Sequence, residues 1–162
     1  MLNKHAIAAL MLLLLVTGCG SPSAFHTQNA SGHYSSDIVQ CAIYAREQTG
    51  VGLYGDADSW WQQSRNMYIH GNVPQAGAVL VLRKTSRMRG GHVAVVKDVV
   101  NSRLIDVTHS NWGSDSHSRH IIYDSMRVQD VSPEGNWTSV KFWNYEKNVF
   151  GFPYAAYGFI YP

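Results

Sequence analysis

The second half of the chain is a series of short segments in which apolar residues alternate with polar ones and β-branched residues are frequent. Six such segments follow Pro74, each typical of a β-strand, at residues 76–84, 91–100, 103–112, 120–128, 137–145 and 155–162. Short connections between consecutive strands favour antiparallel pairing, because a parallel pair needs a crossover of about a dozen residues or more. This pattern restricts the chain to folds built around an antiparallel sheet.

Two helices are predicted before these strands. The first begins near Asp37, which can act as an N-cap, and Gln40 three residues later completes a capping-box pattern. Apolar residues then recur with helical spacing and form one stripe, which consists of Ile38, Cys41, Ala42 and Ala45. A second helix is predicted over residues 57–66. Helices followed by strands indicate an α+β fold, with N-terminal helices packed on an antiparallel sheet of about six strands.

The N-terminal residues have the pattern of an export signal. Lys4 precedes an unbroken apolar run over residues 6–16, which is too short to span a bilayer and fits the apolar region of a signal peptide. The sequence VTGC at residues 16–19 resembles the lipobox of bacterial lipoproteins, in which cleavage precedes a cysteine that carries lipid. That resemblance implies a signal peptide over residues 1–18 and a lipidated Cys19, and the alternative is an ordinary signal peptide cut nearby.

A small, polar and aperiodic segment follows this motif. Residues 19–33 are expected to form the lipidated cysteine and a flexible tether, and residues 34–162 a single catalytic domain. By the same resemblance, Gly20 after the cysteine implies the outer membrane if the host is Gram-negative. We therefore expect an exported lipoprotein at the periplasmic face of the outer membrane, which contacts the membrane through Cys19.

Composition excludes one class of partner and constrains the cysteines. With 45% hydrophobic and 15% charged residues the chain is of ordinary globular composition, and a formal net charge of +2 does not indicate a nucleic-acid partner. The chain has two cysteines, and if Cys19 carries lipid, Cys41 has no partner in an oxidising compartment. A disulfide between Cys19 and Cys41, or a buried and unreactive thiol, is the alternative.

The turn between the second and third predicted strands decides which side chains share a face. A two-residue turn at residues 101–102 pairs Val100 with Arg103, so that residues whose numbers sum to 203 lie opposite each other. One face of this hairpin then carries His92, Ala94, Val96, Val107, His109 and Asn111. The apolar part of this face is expected to meet a helix. Its polar end, with both histidines and the asparagine, is expected to lie opposite Cys41.

A cysteine at a helix N-terminus beside a histidine is typical of nucleophilic catalysis. The helix dipole, the free N–H groups and a neighbouring imidazolium all favour the thiolate, so we expect a lowered pKa for Cys41. His92 then acts as the base, and either His109 or Asn111 fixes its tautomer and orientation. The backbone N–H of Cys41 and the side chain of Gln40 are the candidate donors to the oxyanion.

Four motifs, in this order, resemble the CHAP family (cysteine, histidine-dependent amidohydrolase/peptidase), within the wider papain-like and NlpC-like group. They are QCAIYA at 40–45, VPQAGAVLVL at 73–82, GGHVAVV at 90–96 and THSNWG at 108–113. The resemblance implies that Cys41 is the nucleophile and His92 the base, and that Asn111 matches the polar residue before Trp112. Many CHAP domains have Glu where this chain has His109, and NlpC-like relatives often use a second His, so we expect a His-oriented triad supported by Asn111.

The resemblance also implies a substrate. CHAP and NlpC-like enzymes mostly cut amide bonds in peptidoglycan, as N-acetylmuramoyl-L-alanine amidases or as endopeptidases of stem and cross-bridge peptides, and no cofactor is implied. We expect Trp60, Trp61 and Trp112 to line a cleft for a peptidoglycan peptide, with core packing as the alternative, above all for the first two. The basic stretch at residues 83–91 has the charge to meet anionic polymer or lipid headgroups, with a solvated hairpin tip as the alternative. No protein partner is indicated by the sequence.

Three other functions are compatible with the sequence. The first is metal-dependent hydrolysis, because four possible ligands lie within one stretch: His109, Asp115, His117 and His120. The second is a lipid-anchored binding domain, catalytically weak or inactive, that holds wall polymer or a partner protein on a CHAP-like fold. The third is a cysteine amidase whose substrate lies outside the wall. Loss of activity on chelation would indicate a metal, and loss with iodoacetamide would indicate the thiol.

Overall fold

The structure is a computed structural model that describes residues 30–162. Within that range it has eight strands: β1 (Ala30–Tyr34), β2 (Ile69–Gly71), β3 (Val79–Leu82), β4 (His92–Asn101), β5 (Leu104–Ser110), β6 (Ile121–Asp130), β7 (Ser139–Asn144) and β8 (Val149–Tyr161). The same residues form three α-helices, α1 (Cys41–Thr49), α2 (Ala57–Gln63) and α3 (Ser116–Arg119), and a 3-10 turn (Ser64–Asn66) that continues α2. No helix in the described range is long and apolar enough to cross a membrane.

Six of these strands close into an antiparallel barrel. Each strand from β3 to β7 pairs with the next one along the chain, and β8 pairs back with β3. The strands β1 and β2 extend the barrel wall by pairing with β6 and β8. The prediction of helices packed on an open sheet of about six strands is therefore wrong, because the described part of the chain is mostly β and its central sheet is closed.

The barrel closes because β8 is longer than its sequence pattern indicated. Its first residues pair with β7, as Val149 does with Asn144, and its last residues pair with β3. Gly151 and Pro153 interrupt the alternation of apolar and polar residues, so the predicted strand began only at residue 155. A strand that pairs with both neighbours turns an antiparallel meander into a closed barrel and removes its two free edges.

Two apolar clusters lie on opposite sides of the barrel wall. The inner cluster draws on all six barrel strands and includes the fully buried Leu80 and Phe159. The outer cluster joins α1 and α2 to the outer face of the wall through residues such as Ala45, Trp60 and Val93. The helices therefore pack on the outside of the barrel and leave its interior to strand side chains.

The hairpin of β4 and β5 has the predicted register at the end distant from its turn, but for a different reason. Its turn lies one residue later than predicted and pairs Asn101 with Leu104. Two bulges then each add one residue to β4, so that Val96 lies opposite Val107 as predicted. Because a shift of two residues preserves the side-chain faces, His92 and His109 share a face.

That shared face points into the barrel rather than toward the helices. Ala94 and Val107 belong to the inner cluster, whereas the helices pack on alternate residues such as Val93. The expectation that this face meets a helix is therefore wrong. Strand β4 is buried on both faces over its first five residues, so its sequence has no alternation from which the inward face could be read.

Helix α1 begins at Cys41 rather than near Ile38. Its N-cap is Gln40, whose side chain makes no capping bond, and the predicted capping box with Asp37 does not form. Gly50 ends the helix in the left-handed region, with φ of 74°, as its position in the sequence indicates. Cys41 is therefore the first helical residue and lies closer to the positive end of the helix dipole than predicted.

Candidate active site

Cys41 lies at the gap where β4 and β5 separate. The ladder between these strands ends at Val95 and Thr108. The N–H of Val96 bonds to the carbonyl oxygen of Ala78, the residue before β3. Because N–H groups alternate in direction along a strand, the N–H of Val93 points to the β5 side, beyond the end of that ladder, and there it donates to the thiol. The thiol is free and half-buried, which places the N-terminus of α1 beside the first residues of β4.

Burial raises the pKa of the Cys41 thiol above its ordinary value. The N–H groups of Val93, Ala42 and Cys41 itself favour the thiolate, but the loss of hydration outweighs them. The expectation of a lowered thiol pKa is therefore wrong for the free protein. The helix N-terminus supplies its donors as predicted, yet the apolar surroundings of the sulfur keep the proton on it at neutral pH.

His92 and His109 form a hydrogen-bonded pair inside the barrel. The distance between His92 Nε2 and His109 Nδ1 is 2.9 Å. The two residues are 2% and 1% exposed, and burial lowers the pKa of His92 to about 3. Burial and repulsion from a protonated His92 hold the pKa of His109 well below its ordinary value. Both imidazoles are therefore neutral at neutral pH, and the imidazolium expected beside the thiol does not exist in the resting protein.

Aromatic rings enclose this pair. Trp112 lies 4.7 Å from His92, between ring centroids, and Phe142 lies 5.4 Å from His109. Tyr123 stacks on His109 at a centroid distance of 5.1 Å. No carboxylate of the described residues bonds either imidazole, so a charge on the pair would lose hydration without an ionic partner. The enclosure holds the ring planes and accounts for the lowered pKa values.

The second nitrogen of His92 is the one available for chemistry. Within residues 30–162 no hydrogen bond engages its Nδ1, whereas Nε2 is held by His109. Any proton that the ring takes up while it keeps the bond to His109 is therefore bound at Nδ1.

Asn111 contacts the other side of the site. Its Nδ2 donates to Gln40 Oε1 at 2.8 Å, across the segment that precedes Cys41. Its backbone is left-handed, with φ of 52°, a conformation that Asn adopts more readily than most residues. Of the two residues considered for orienting His92, the structure joins His109 to that ring and joins Asn111 to Gln40.

Hydrogen bonds from β5 hold α1 and the segment before it. Ser110 Oγ donates to the carbonyl oxygen of Val39 at 2.7 Å. On α1 itself, the hydroxyl of Tyr44 donates to Thr108 Oγ1 at 2.6 Å. Thr108 is the acceptor in this bond because its own hydroxyl donates to the carbonyl oxygen of Tyr123 in β6. The strand that carries His109 therefore also positions the helix that carries the thiol.

Asp58 holds the loop that leads into β4, a contact that the sequence did not reveal. Its carboxylate accepts from the backbone N–H of Lys84 at 2.8 Å and from the hydroxyl of Tyr157 at 3.3 Å, and its own N–H donates to Gly90 O. Gly91 has φ of 70° and passes close to the Asp58 backbone. The residue before His92 is thereby fixed against the N-terminus of α2.

The three tryptophans expected to line a cleft lie on different sides of the barrel wall. Trp60 is fully buried in the outer cluster, so for this residue the alternative of core packing is correct. Trp61 is partly buried next to that cluster, 4.6 Å from His70 and 5.6 Å from Tyr157. Of the three, Trp112 is the one that contacts the histidine pair.

Arg87 is the residue of the basic stretch whose charge acts on Tyr154, a neighbour of Trp112. It is exposed, and its charge favours the ionised form of Tyr154, whose pKa burial raises. Tyr154 packs 5.1 Å from Trp112, between ring centroids. Arg83 is occupied elsewhere, since its guanidinium stacks 4.3 Å from the ring of Tyr157.

The residues considered as metal ligands do not converge. No group of three or more His, Cys, Asp or Glu side chains in the described part of the chain is arranged to hold a metal ion. His117 and His120 stack on Tyr34, with centroids 5.4 Å and 5.2 Å away. Asp115 caps α3 by accepting from the N–H of Ser118.

One contact of the histidine pair was not predicted at all. Nε2 of His109 lies 3.3 Å from the sulfur of Met126, a fully buried residue of β6. A methionine at an inward-facing position of a strand has no feature that indicates a polar contact. It becomes visible only when the pairing of β5 with β6 is known.

The predicted signal peptide and the predicted lipidation of Cys19 lie outside the described residues. Residues 30–33, expected to end the tether, belong to β1, which pairs with β6. Strand β1 therefore includes residues that the sequence assigned to the tether.

The CHAP domain family model matches residues 29–111, slightly more than half of the chain, and the matched part contains Gln40, Cys41, His92, His109 and Asn111. The chain therefore belongs to the CHAP domain family, a hydrolase family of the peptidoglycan amidase and peptidase type. No curated protein matches this sequence.

Proposed function

We propose that this protein is a cysteine hydrolase that cuts amide bonds of peptidoglycan through a thioester on Cys41. Membership of the CHAP family supports the class of reaction and substrate. The observation that carries the proposal is the 2.9 Å bond between His92 and His109, because it engages Nε2 of His92 and leaves Nδ1 to act as the base. His92 directly precedes Val93, whose N–H bonds the thiol of Cys41.

In the first step, sulfur attacks the amide carbonyl carbon while the thiol proton moves to His92 Nδ1. Both groups are neutral beforehand, so proton transfer accompanies attack instead of preceding it. The tetrahedral intermediate then collapses, the C–N bond breaks, and His92 returns the proton to the leaving amine. Water, deprotonated by the same nitrogen, hydrolyses the thioester and restores the thiol.

His109 is the orienting residue in this proposal. It accepts the hydrogen bond of His92 Nε2 and stabilises the imidazolium that forms during attack, as the third member of such triads does. A neutral imidazole stabilises that charge less than a carboxylate would, and the aromatic enclosure adds rigidity rather than charge. We therefore expect the site to depend strongly on a fixed geometry of the two rings.

The oxyanion would be stabilised by the N–H of Cys41 and by the side chain of Gln40. Because Gln40 Oε1 accepts from Asn111, the amide is held with its Nε2 free to donate. In this proposal Asn111 therefore acts through Gln40 and does not orient His92. One such donor typically contributes about 3 kcal/mol to transition-state stabilisation.

Digestion of purified peptidoglycan tests the proposal. Cys41→Ala should abolish the release of new amines or stem peptides, while Gln48→Ala, an exposed change on the same helix, should leave it intact. Mass spectrometry of the fragments separates an N-acetylmuramoyl-L-alanine amidase from a stem or cross-bridge endopeptidase. Full activity of Cys41→Ala would refute the mechanism.

The same experiment distinguishes the competing functions. Inhibition by chelators but not by iodoacetamide would favour a metal. A wild-type protein that binds the polymer without cutting it, and binds equally well as Cys41→Ala, would favour a binding domain. A cysteine-dependent activity on other amides, with intact peptidoglycan left uncut, would favour a substrate outside the wall.

We further propose that Cys19 carries lipid and holds the domain at the periplasmic face of the outer membrane. The support is the VTGC motif and the apolar segment before it, both of which precede the described residues. Cys19→Ala should prevent the incorporation of labelled palmitate and release the protein from the membrane fraction. A variant that stays in the membrane fraction would contradict this anchor.

A further inference from the structure

The contact between His109 and Met126 determines where the proton of His109 lies. Nε2 of His109 is 3.3 Å from Met126 Sδ. A thioether sulfur accepts hydrogen bonds and has no proton to donate, so Nε2 must be the nitrogen that carries the proton. A neutral imidazole has a single N–H, and His109 Nδ1 is therefore an acceptor.

The consequence passes to His92 through the 2.9 Å bond between the rings. Since His109 Nδ1 accepts, His92 Nε2 must donate. The buried and neutral His92 then has no proton on Nδ1. The lone pair therefore lies on Nδ1, which is the nitrogen proposed to take the proton of Cys41.

We propose that Met126 is a positioning residue that selects the tautomer of His109 and, through it, the tautomer of His92. This inference rests on the proposed function where it assigns a catalytic purpose, since the selected tautomer is the one in which His92 Nδ1 can act as a base. The assignment of the protons themselves rests only on the two distances.

The bond between the two rings can also form with His109 as the donor. The contact with the Met126 sulfur is therefore what selects between the two arrangements of protons. If His109 carried its proton on Nδ1, it would donate to His92 Nε2, and His92 would carry its proton on Nδ1. That form could not accept a proton from Cys41. His109 and Met126 are each only 1% exposed, so water does not replace the sulfur as the acceptor. The other close neighbours of His109 are His92 and aromatic rings.

Met126→Leu removes the acceptor and keeps the volume of the side chain nearly unchanged. We expect kcat to fall about tenfold, which corresponds to about 1.4 kcal/mol of activation free energy. We expect KM to stay unchanged, because Met126 lies inside the barrel, away from the surface that meets the polymer. Met67→Leu, the same change at a residue that is 56% exposed, serves as the matched control and should keep both constants.

The spectroscopic signature is the imidazole tautomer, which long-range ¹H–¹⁵N spectra report for the full-length protein at neutral pH. The wild type and Met67→Leu should show protonated Nε2 and unprotonated Nδ1 on both His92 and His109. Met126→Leu should populate the reverse tautomers. A merely structural role for Met126 would change stability in urea without moving these signals.

A proton on Nδ1 of His109 in the wild type would overturn the proposal, and so would a folded Met126→Leu protein that keeps the wild-type tautomers and kcat. The spectra need no substrate. They therefore decide the assignment independently of whether the protein cuts peptidoglycan. If Met126→Leu does not fold, the wild-type spectrum alone supports or refutes the proton positions.

Discussion

Acid should begin to destabilise this protein already near pH 6.5, the ordinary pKa of histidine, because the barrel encloses two neutral histidines. His92 is 2% exposed, and burial lowers its pKa from an ordinary value of 6.5 to about 3. Between these two values the unfolded chain binds more protons than the folded protein. The free energy of unfolding is therefore highest above pH 6.5 and falls as the pH falls toward 3.

The size of the effect follows from the pKa shift. Each pH unit between the two pKa values lowers the free energy of unfolding by about 1.4 kcal/mol per histidine. Of the interval from pH 7.5 to pH 5, only the part below the ordinary pKa of 6.5 counts, which is about 1.5 pH units. His92 alone therefore accounts for a loss of about 2 kcal/mol over that interval. The pKa of His109 is lowered for the same reason, so its loss has the same sign and adds to this figure.

Urea unfolding at pH 7.5 and pH 5 measures this loss. His92→Gln removes one titrating group, so the variant should lose about 2 kcal/mol less than the wild type over the interval, whatever its own stability at pH 7.5. His117→Gln, an exposed change on α3, is the matched control and should lose as much as the wild type. Equal losses for His92→Gln and the wild type would refute the reasoning that His92 is buried in its neutral form.

Three further predictions concern the surroundings of the pair. Iodoacetamide should label Cys41 faster as the pH rises above the ordinary range of a thiol pKa, since burial raises the pKa of Cys41, and a plateau between pH 5 and pH 8 would instead indicate a standing thiolate. Arg87→Glu should raise KM for purified peptidoglycan several-fold with kcat nearly unchanged, because it replaces a cation near Tyr154 with an anion, whereas the exposed Arg65→Glu should alter neither constant. Equal effects of both substitutions would contradict a role of Arg87 in holding the polymer. Gly91→Ala should lower the free energy of unfolding by about 1–3 kcal/mol, because φ is 70° and a Cβ would lie 2.7 Å from the Asp58 nitrogen, and a variant as stable as the wild type would contradict this strain.

The strands themselves could be predicted, but the closure of the barrel could not. Short apolar or alternating segments rich in β-branched residues placed a strand near each of β3 to β8, because such residues favour extended backbone in a sheet. Closure depends on whether β8 reaches β3 as well as β7, and that is a pairing between residues about 80 positions apart. Pro153 and Gly151 weaken the local signal at the very place where β8 extends toward β7.

The candidate site was likewise predictable in part from the sequence. The order of the motifs predicted Cys41, His92 and His109 as site residues, and the period of two put both histidines on one face. The direction of that face could not be read, because β4 is buried on both sides. Burial then reversed the electrostatic expectation: it raises the thiol pKa and lowers the imidazole pKa, so that the ion pair predicted from residue types is replaced by two neutral groups.

By itself the sequence predicted which residues could carry the chemistry and that both histidines lie on one face at the end of a hairpin. These features depend on residue type and on local periodicity, which a single segment contains. Only the tertiary structure decided that the histidines point into a closed barrel, that Asn111 holds Gln40, and that the sulfur of Met126 meets His109. Each of these depends on desolvation or on a contact between distant segments, and both arise only when the chain is packed.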